Sequence, residues 1–483
     1  MSEPSPIPLA SSEIVAAILA RPAAHIHLIG IGGAGLSAIA VVLLARGHRV
    51  TGSDLARTSA TASLEAAGAR IFYGHAAGQA DGADLVLISS AVRAENPELR
   101  AAVAAGIPVV KRAQLLGPLM AGRLGVAVAG THGKTTTTAM IATTLWAAGR
   151  DPDFIVGGVI AGVERSARAG RGGVFVIEAD EYDRMFLGLT PQIAVVTNVE
   201  WDHVDCYPTP ADFQAAFAAF VDRLPPAGCL IACADDRGAC ALARDRQQRG
   251  LPAVTYGLAA EATWQARALR SNNQGGFDFE AWQGGRRAVE MSLRVPGRHN
   301  VLNALATLAA SACLEVQPEI VAANLKDFVG VRRRFEVKGI ECDIIVVDDY
   351  AHHPSEVQAT LAAARQRYPE RIVWALFQPH TFSRTRALLD QFAGCFADAD
   401  HVLITDIYAA REDTAAAVHA AQIAELAASR HPDVRYVGGL EAATAVLLAE
   451  VRPGAVVLTL GAGDGYRVGE AVLAALRGHD ACA

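Results

Sequence analysis

Residues 125–138 read GVAVAGTHGKTTTT, an apolar run that stops at Gly130 and is followed by Lys134 and four threonines. A strand that passes through a tight glycine turn into a helix directs backbone N–H groups at one point. At that point, Lys134 and the Thr135 hydroxyl can contact a triphosphate and its magnesium ion. This stretch therefore predicts an α/β domain that binds ATP.

The loop differs in length from the usual phosphate-binding loop. Its spacing is Gly-x-x-Gly-Lys-Thr, two residues shorter, because Val128 stands where the first glycine would be. Lysine is scarce in the chain, with four against 44 glycines, which favours a specific role for Lys134. A lysine that stands by chance in a plain glycine turn is the alternative.

Length and composition limit the fold and the partners. At 483 residues the chain is too long for one core and predicts three domains, expected at 1–122, 123–329 and 330–483. A net charge of −7 gives no general positive field for nucleic acid or an anionic membrane. The sequence shows neither a signal-peptide pattern nor an 18-residue apolar run, so we expect a cytoplasmic protein without membrane insertion.

A second glycine turn opens the first domain, in HIHLIGIGGAG at residues 25–35. An apolar strand runs into Gly30-x-Gly32-x-x-Gly35, and Asp54 follows 19 residues after Gly35, where a doubly wound sheet places a carboxylate against a ribose. NAD and a UDP-sugar both fit this pattern, since each has a pyrophosphate and a ribose. A glycine turn with no ligand is the third possibility.

Acidic residues and a histidine follow two further apolar strands of the central domain. Glu178 and Glu181 lie in EADEYD, and Asp202 and His203 lie in NVEWDHVD. Loops after parallel strands emerge at the same edge of a sheet, so these residues can converge on the triphosphate. Carboxylate and hydroxyl oxygens suit Mg²⁺. A solvated charge cluster, with His203 merely capping a loop, is the alternative.

Later segments add weaker signals. Residues 260–290 alternate short runs with turn residues and predict hairpins. Asn300 stands near the start of a helical stretch, where adenine binding and helix capping are equally suitable roles. In the last domain, Arg384 and Arg386 follow a strand and can grip a small carboxylate through a two-pronged contact.

Taken together, these motifs resemble the Mur ligases of peptidoglycan synthesis, and most nearly their alanine-adding branch. The resemblance covers nearly the whole chain. It is carried by GIGGAGLSAIA, GSDL, SSAV, RAQLL, AGTHGKTTTT, EADEYD, NVEWDHVD, GRHNVLNA, GVRRRFE, DDYAHHPSE, FQPHTFSRTR and LGAGDG.

The resemblance implies a role for each matching residue. The expected ATP-binding residues are Gly130, Thr131, His132, Gly133, Lys134, Thr135, Thr136, Asn300, Arg334 and Asp349. Thr135, Glu178 and His203 would position Mg²⁺, and Lys134, Glu178 and His203 would be catalytic. The UDP-sugar would contact Gly32, Gly33, Gly35, Ser53, Asp54 and Ser89. The incoming amino acid would contact Tyr350, His352 and Arg384.

The resemblance also implies the fold and the reaction. It predicts an N-terminal Rossmann-like doubly wound sheet, a central P-loop ATPase-like α/β domain and a C-terminal Rossmann-like α/β domain. The expected activity joins L-alanine to UDP-N-acetylmuramic acid through an acyl phosphate, with ATP and Mg²⁺, in a monomer or homodimer.

Three alternatives stay open at this stage. The main interpretation, the alanine-adding branch, is favoured by the position of the lysines. Other Mur ligases use a modified lysine to bridge two magnesium ions, and no lysine lies between Lys134 and Lys326. Tyr182 replaces a common serine in EADEYD and keeps a recycling ligase for a whole tripeptide as one alternative. An NAD-dependent dehydrogenase and a nucleotide-switched binding or motor protein are the others.

Overall fold

A computed structural model describes residues 7–410, 412 and 418–478 of the chain. Two compact units contain them. The first unit comprises Met1–Glu200, Gln214–Ala262 and Ala306–Val321, and the second comprises Trp201–Phe213, Thr263–Leu305 and Ala322–Ala483.

The first sheet belongs to the first unit and has five parallel strands. These are β1 (His25–Ile29), β2 (Arg49–Asp54), β3 (Arg70–Tyr73), β4 (Leu85–Ile88) and β5 (Val109–Val110). The helices of this part are α1 (Ser12–Leu19), α2 (Ala34–Ala45), α3 (Ser59–Ala66), α4 (Pro97–Ala104) and α5 (Arg112–Met120), with a 3₁₀ helix at Ala77–Ala80. The strand order is β3-β2-β1-β4-β5, which reverses between β1 and β4. Ligands of doubly wound sheets bind at such a reversal.

A second sheet of the first unit carries the phosphate loop. Its strands are β6 (Leu124–Ala129), β7 (Asp153–Ile160), β8 (Arg165–Arg168), β9 (Val174–Glu178), β10 (Ile193–Val196), β11 (Cys229–Cys233) and β12 (Ala253–Gly257), in the order β12-β11-β10-β6-β9-β7-β8. Only β8 among these runs antiparallel to its neighbour. The helices of this stretch are α6 (Lys134–Ala147), α7 (Pro210–Val221) and α8 (Arg237–Gln248), with a 3₁₀ helix at Tyr182–Gly188.

The second unit contains the predicted hairpins and the third sheet. The hairpin strands β13 (Trp264–Ser271), β14 (Phe277–Gln283) and β15 (Arg286–Ser292) pair antiparallel, as expected. Helices α9 (Arg298–Cys313) and α10 (Pro318–Asp327) follow.

The third sheet has six strands. These are β16 (Glu336–Glu341), β17 (Ile344–Asp349), β18 (Ile372–Phe377), β19 (His401–Thr405), β20 (Val434–Gly438) and β21 (Ala455–Leu460), in the order β16-β17-β21-β18-β19-β20. Only β16 is antiparallel. The helices are α11 (Pro354–Arg367), α12 (Phe382–Ala387), α13 (Leu389–Phe392), α14 (Ala421–Ala427), α15 (Leu440–Glu450) and α16 (Tyr466–Gly478).

Burial explains why the parallel strands have largely apolar sequences. Residues 125–129 of β6 and all of β17 and β21 are buried. Strands covered by helices on both faces cannot alternate polar and apolar residues. The predicted three-part α/β fold is confirmed. Among the residues that the structure describes, no helix combines the length and apolar character needed to span a membrane.

Candidate active site

The phosphate loop adopts a conformation that requires two of its glycines. Gly130 has φ 136° and Gly133 has φ 79°, and Gly133 is the N-cap of α6. A Cβ at Gly130 would also collide with Thr197 Oγ1. Asn198, after β10, accepts from the N–H of Thr131 at 3.1 Å and, through its side-chain oxygen, from that of His132 at 2.8 Å. A neighbouring strand end therefore fixes the loop.

The side chain of Lys134 is nearly buried, and its ammonium is hydrogen-bonded to the loop and to a nearby carboxylate. Its ammonium donates to Gly130 O at 2.6 Å, Thr131 O at 3.0 Å and Glu181 Oε1 at 2.9 Å. Burial alone would lower its pKa, but Glu181 and the nearby carboxylates outweigh burial and raise the pKa. Lys134 is therefore a cation at the point where a phosphate is expected.

Glu178 and Glu181, both candidates for metal binding, have different partners. Glu178 Oε1 accepts from Thr135 Oγ1 at 3.0 Å, and its Oε2 accepts from the N–H of Gly157 at 2.6 Å. A Cβ at Gly157 would collide with this carboxylate, so a larger residue there would displace the Glu178 side chain. A hydroxyl beside a carboxylate fits the oxygen ligands that Mg²⁺ prefers. Glu181 instead pairs with Lys134.

The third predicted magnesium ligand, His203, lies in the second unit, whereas Thr135 and Glu178 lie in the first. His203 has φ 52°, and its N–H donates to Asp202 Oδ1 at 2.7 Å. A left-handed backbone is uncommon for a residue with a Cβ and is enriched at functional sites. The joint metal role of the three residues stays a prediction.

The predicted UDP-sugar residues lie at the carboxyl ends of β1, β2 and β4. They are Gly32, Gly33, Gly35, Ser53, Asp54 and Ser89. Gly32 N–H donates to Asp54 Oδ2 at 2.8 Å, and a Cβ at Gly32 would lie 2.8 Å from that oxygen. Gly33 has an extended backbone and is the N-cap of α2, which begins at Ala34. The carboxylate of Asp54 thus accepts a hydrogen bond from the glycine turn itself. The role of these residues in binding a sugar nucleotide stays a prediction.

Two neighbouring cations, Lys111 and Arg112, were not predicted from the sequence as site residues. Arg112 packs against Gly35, where an added Cβ would approach its guanidinium, and Arg112 Nη2 lies 3.4 Å from Asp180 Oδ2. Lys111 Nζ donates to Asp183 Oδ2 at 2.7 Å. Both cations are therefore held by the loop that contains Glu181. The RAQLL stretch, which begins at Arg112, was the available sequence signal, but it does not indicate which carboxylates these two cations pair with.

The predicted adenosine-side residues of the second unit are bonded internally. Asn300 lies in the first turn of α9 and not at its N-cap, and its amide donates to Pro296 O at 2.7 Å. Asp349 accepts from the N–H groups of Phe335 and Ala351, both at 2.7 Å. Burial raises the pKa of Asp349 to about 6. Arg334, the third residue of this set, has its guanidinium 5.0 Å from the centre of the Tyr350 ring.

Arg384 was predicted to bind a free carboxylate, yet its guanidinium holds a carboxylate of the protein. Nε donates to Asp202 Oδ1 at 2.8 Å and Nη2 to Oδ2 at 3.1 Å. Both side chains are nearly inaccessible, at 6% and 5% exposure. Burial would raise the pKa of Asp202, but Arg384 and His203 outweigh burial and hold that pKa well below its usual range. The pairing with Asp202 was not predicted from the sequence, and the contact of Arg384 with the incoming amino acid stays a prediction.

An aromatic row lies beside this ion pair. The rings of Tyr350, His352, His380 and Tyr408 follow one another with centres 5.3, 5.8 and 5.7 Å apart. Burial lowers the pKa of His352 to about 3, so this imidazole is neutral at physiological pH. The structure thus brings the three predicted amino-acid residues, Tyr350, His352 and Arg384, into one region of the second unit.

Family comparisons agree over all three sheets. Residues 25–124 match the Mur ligase family catalytic domain, residues 128–311 the Mur ligase middle domain, and residues 333–463 the Mur ligase glutamate ligase domain.

Individual relatives match at similar coverage. The UDP-N-acetylmuramate--L-alanine ligase of Roseiflexus sp. (strain RS-1) is 47% identical over 94% of this chain and 99% of its own. That of Salinibacter ruber is 47% identical over 92% and 94%. The crystal structure of UDP-N-acetylmuramate-alanine ligase from Thermotoga maritima has a TM-score of 0.78 and 29% identity, covering 94% and 99%. A murein peptide ligase from Psychrobacter arcticus has a TM-score of 0.69 and 26% identity, covering 95% and 100%. The chain belongs to the Mur ligase family.

Proposed function

We propose that this chain is an ATP-dependent ligase that joins L-alanine to UDP-N-acetylmuramic acid during synthesis of peptidoglycan precursors. The observation that carries the proposal is the phosphate loop, where buried Lys134 and the bonded pair Thr135–Glu178 stand at the carboxyl edge of β6 and β9. Relatives that are 42–47% identical over nearly the whole chain bear the name of this activity.

The chemistry explains the need for a triphosphate site. A carboxylate carbon is electron-rich and has no good leaving group, so an amine does not attack it. Transfer of the γ-phosphoryl group to an oxygen of the muramoyl carboxylate releases ADP and gives an acyl phosphate. The amine of alanine then attacks the carbonyl carbon, loses a proton and expels phosphate from the tetrahedral intermediate.

The protein's part in the first step is alignment and charge neutralisation. Lys134 supplies a fixed positive charge for the γ-phosphate, and the N-terminus of α6 adds the partial positive charge of a helix end. Thr135 and Glu178 would hold Mg²⁺, with His203 as a third candidate. When bound, the ion neutralises phosphate charge.

The remaining predicted contacts are part of the proposal. The glycine turn with Ser53, Asp54 and Ser89 would take the UDP moiety. Asn300, Arg334 and Asp349 would face adenosine. Tyr350 and neutral His352 would line the alanine site, with Arg384 fixed beside them by Asp202.

A ligase for a preformed tripeptide is the second candidate. It is favoured by the fold similarity to the murein peptide ligase of Psychrobacter arcticus. The higher identity to alanine ligases favours alanine instead. A dehydrogenase would leave Lys134 and the Thr135–Glu178 pair without a role. Cytoplasmic location, the domain limits 1–122, 123–329 and 330–483, and a monomeric or homodimeric state remain predictions.

One assay tests the proposal. The purified protein is incubated with ATP, Mg²⁺ and UDP-N-acetylmuramic acid, together with alanine, glycine, serine or the tripeptide, and free phosphate and product mass are measured. Alanine should give stoichiometric phosphate and a product heavier by one alanyl residue. Phosphate release that needs no amino acid, or product only with the tripeptide, would contradict it.

A further inference from the structure

The ammonium of Lys134 uses all of its hydrogen-bonding capacity within the protein. A lysine ammonium has three N–H donors and no acceptor. Its three partners lie at 2.6, 3.0 and 2.9 Å: the carbonyls of Gly130 and Thr131 and the carboxylate of Glu181. A phosphate oxygen can therefore bind Lys134 with a full hydrogen bond only if one partner leaves.

The three partners differ in charge, which decides which one leaves. The two carbonyls are neutral parts of the loop backbone. Glu181 is an anion, and an arriving phosphate repels it. We propose that Glu181 is a positioning residue, a counter-anion that holds Lys134 in the nucleotide-free protein and that the γ-phosphate displaces. This inference rests on the proposed function, because it requires ATP to be the ligand of the loop.

Burial gives the physical reason for such a counter-anion. The side chains of Lys134 and Glu181 are 13% and 1% exposed. A buried ammonium without an opposite charge is strongly unfavourable. Glu181 removes this penalty in the free protein, and the γ-phosphate removes it in the complex. One anion replaces another, and Lys134 stays charged and in place.

The surrounding loop permits the side chain of Glu181 to move while the backbone stays. Asp180 pairs with Arg112 on one side of Glu181, and Asp183 pairs with Lys111 on the other. Asp183 also accepts from Ser90 Oγ at 3.2 Å. These contacts hold the loop at both ends, so we expect rotation of one side chain and not refolding of the segment.

The proposal predicts an increase in affinity where a structural role predicts a loss. Glu181→Gln keeps the shape and removes the competing charge. It should tighten binding of a non-hydrolysable ATP analogue by about tenfold, as expected for release of one charge-assisted hydrogen bond. The gain should be smaller for ADP, which has no γ-phosphate to occupy the position of Glu181. If Glu181 only supported the loop, its loss would leave Lys134 misplaced and weaken both nucleotides.

Isothermal titration calorimetry with Mg²⁺, the ATP analogue and ADP provides the test on the full chain. Asp183→Asn is the matched control, since it removes one charge from the same loop, and asparagine tolerates the left-handed φ of 55° at this position. The control should leave the ratio of analogue to ADP affinity unchanged. In turnover assays, Glu181→Gln should lower the KM for ATP more than it changes kcat.

Each outcome has one meaning. Unchanged or weaker analogue binding by Glu181→Gln, or an equal gain for ADP, overturns the inference. A wild-type protein that binds neither nucleotide contradicts the proposed function instead. Thermal unfolding checks that the variant is folded, and Glu181→Met, which keeps the volume without the charge, replaces it if the glutamine variant does not fold.

Discussion

Replacement of Arg384 tests whether its guanidinium is chiefly part of a buried ion pair. The contact with Asp202 has two hydrogen bonds, and both side chains are almost completely buried. Loss of one partner leaves the other charge buried without compensation, which costs about 3–5 kcal/mol in comparable pairs. We therefore expect Arg384→Met and Asp202→Asn each to lower the free energy of unfolding by about this amount.

Urea unfolding of the wild type, both single variants and the double variant gives the coupling energy. The double variant should lose less than the sum of the single losses, because neither charge is then left alone. The pKa of Asp202 is depressed in the folded protein, so the pair stabilises above the unfolded value of 3.8 and loses this effect as pH falls through the folded value. The coupling energy should therefore be equal at pH 5 and pH 7.

The adjacent Arg386 provides the control, since it lies on the same helix and is exposed. Arg386→Met should leave the free energy of unfolding nearly unchanged. If Arg384→Met were as stable as the wild type and only raised the KM for alanine, Arg384 would be a free carboxylate clamp and our interpretation of the pair would be wrong.

Three further predictions concern the other predicted contacts. Lys134→Ala should lower kcat by at least about 10²-fold, since it removes a fixed charge from the transferred phosphoryl group; phosphate release near the wild-type rate would refute this. The pKa of Asp349 is raised to about 6, so its carboxylate destabilises the fold as pH rises from 3.8 to that value. The stability of the wild type relative to Asp349→Asn should fall by roughly 3 kcal/mol across this interval, and a pH-independent difference would contradict it. Arg112 packs against Gly35 in the glycine turn proposed for the UDP moiety, so its guanidinium is placed to contact a phosphate. Arg112→Ala should weaken UDP-N-acetylmuramic acid binding by about tenfold in calorimetry, as expected for loss of one charge-assisted hydrogen bond, while Arg100→Ala at an exposed position should not; equal affinity of all three proteins would exclude the contact.

The parts of the fold that were predictable from sequence depend on local patterns. The turns at Gly30 and Gly130 need a left-handed φ directly after an apolar strand, and both requirements are visible within a dozen residues. The hairpins of β13–β15 were predictable for the same reason, because turn residues separate short alternating runs.

The pairings within the site were not predictable, because they join residues far apart in the chain. Asp202 and Arg384 are 182 positions apart, and Lys134 and Glu181 are 47 apart. Glu178 and Glu181 are only three residues apart, yet one bonds Thr135 and the other Lys134. Composition and spacing assign both to the same acidic cluster, and only the geometry of the loop after β9 separates them.

Lys134 in the first unit and Arg384 in the second unit are both cations paired with a carboxylate, yet removal of that carboxylate has different expected effects. Lys134 keeps two carbonyl acceptors when Glu181 is neutralised, and its ligand brings a new negative charge. Arg384 has two of its nitrogens committed to Asp202 in a place that is 6% exposed, so loss of that carboxylate leaves a buried positive charge. A protein carboxylate can act as an exchangeable counter-anion only where other acceptors hold the cation in place and a ligand anion can reach it. We therefore expect Glu181→Gln to act mainly on nucleotide affinity and Asp202→Asn mainly on stability.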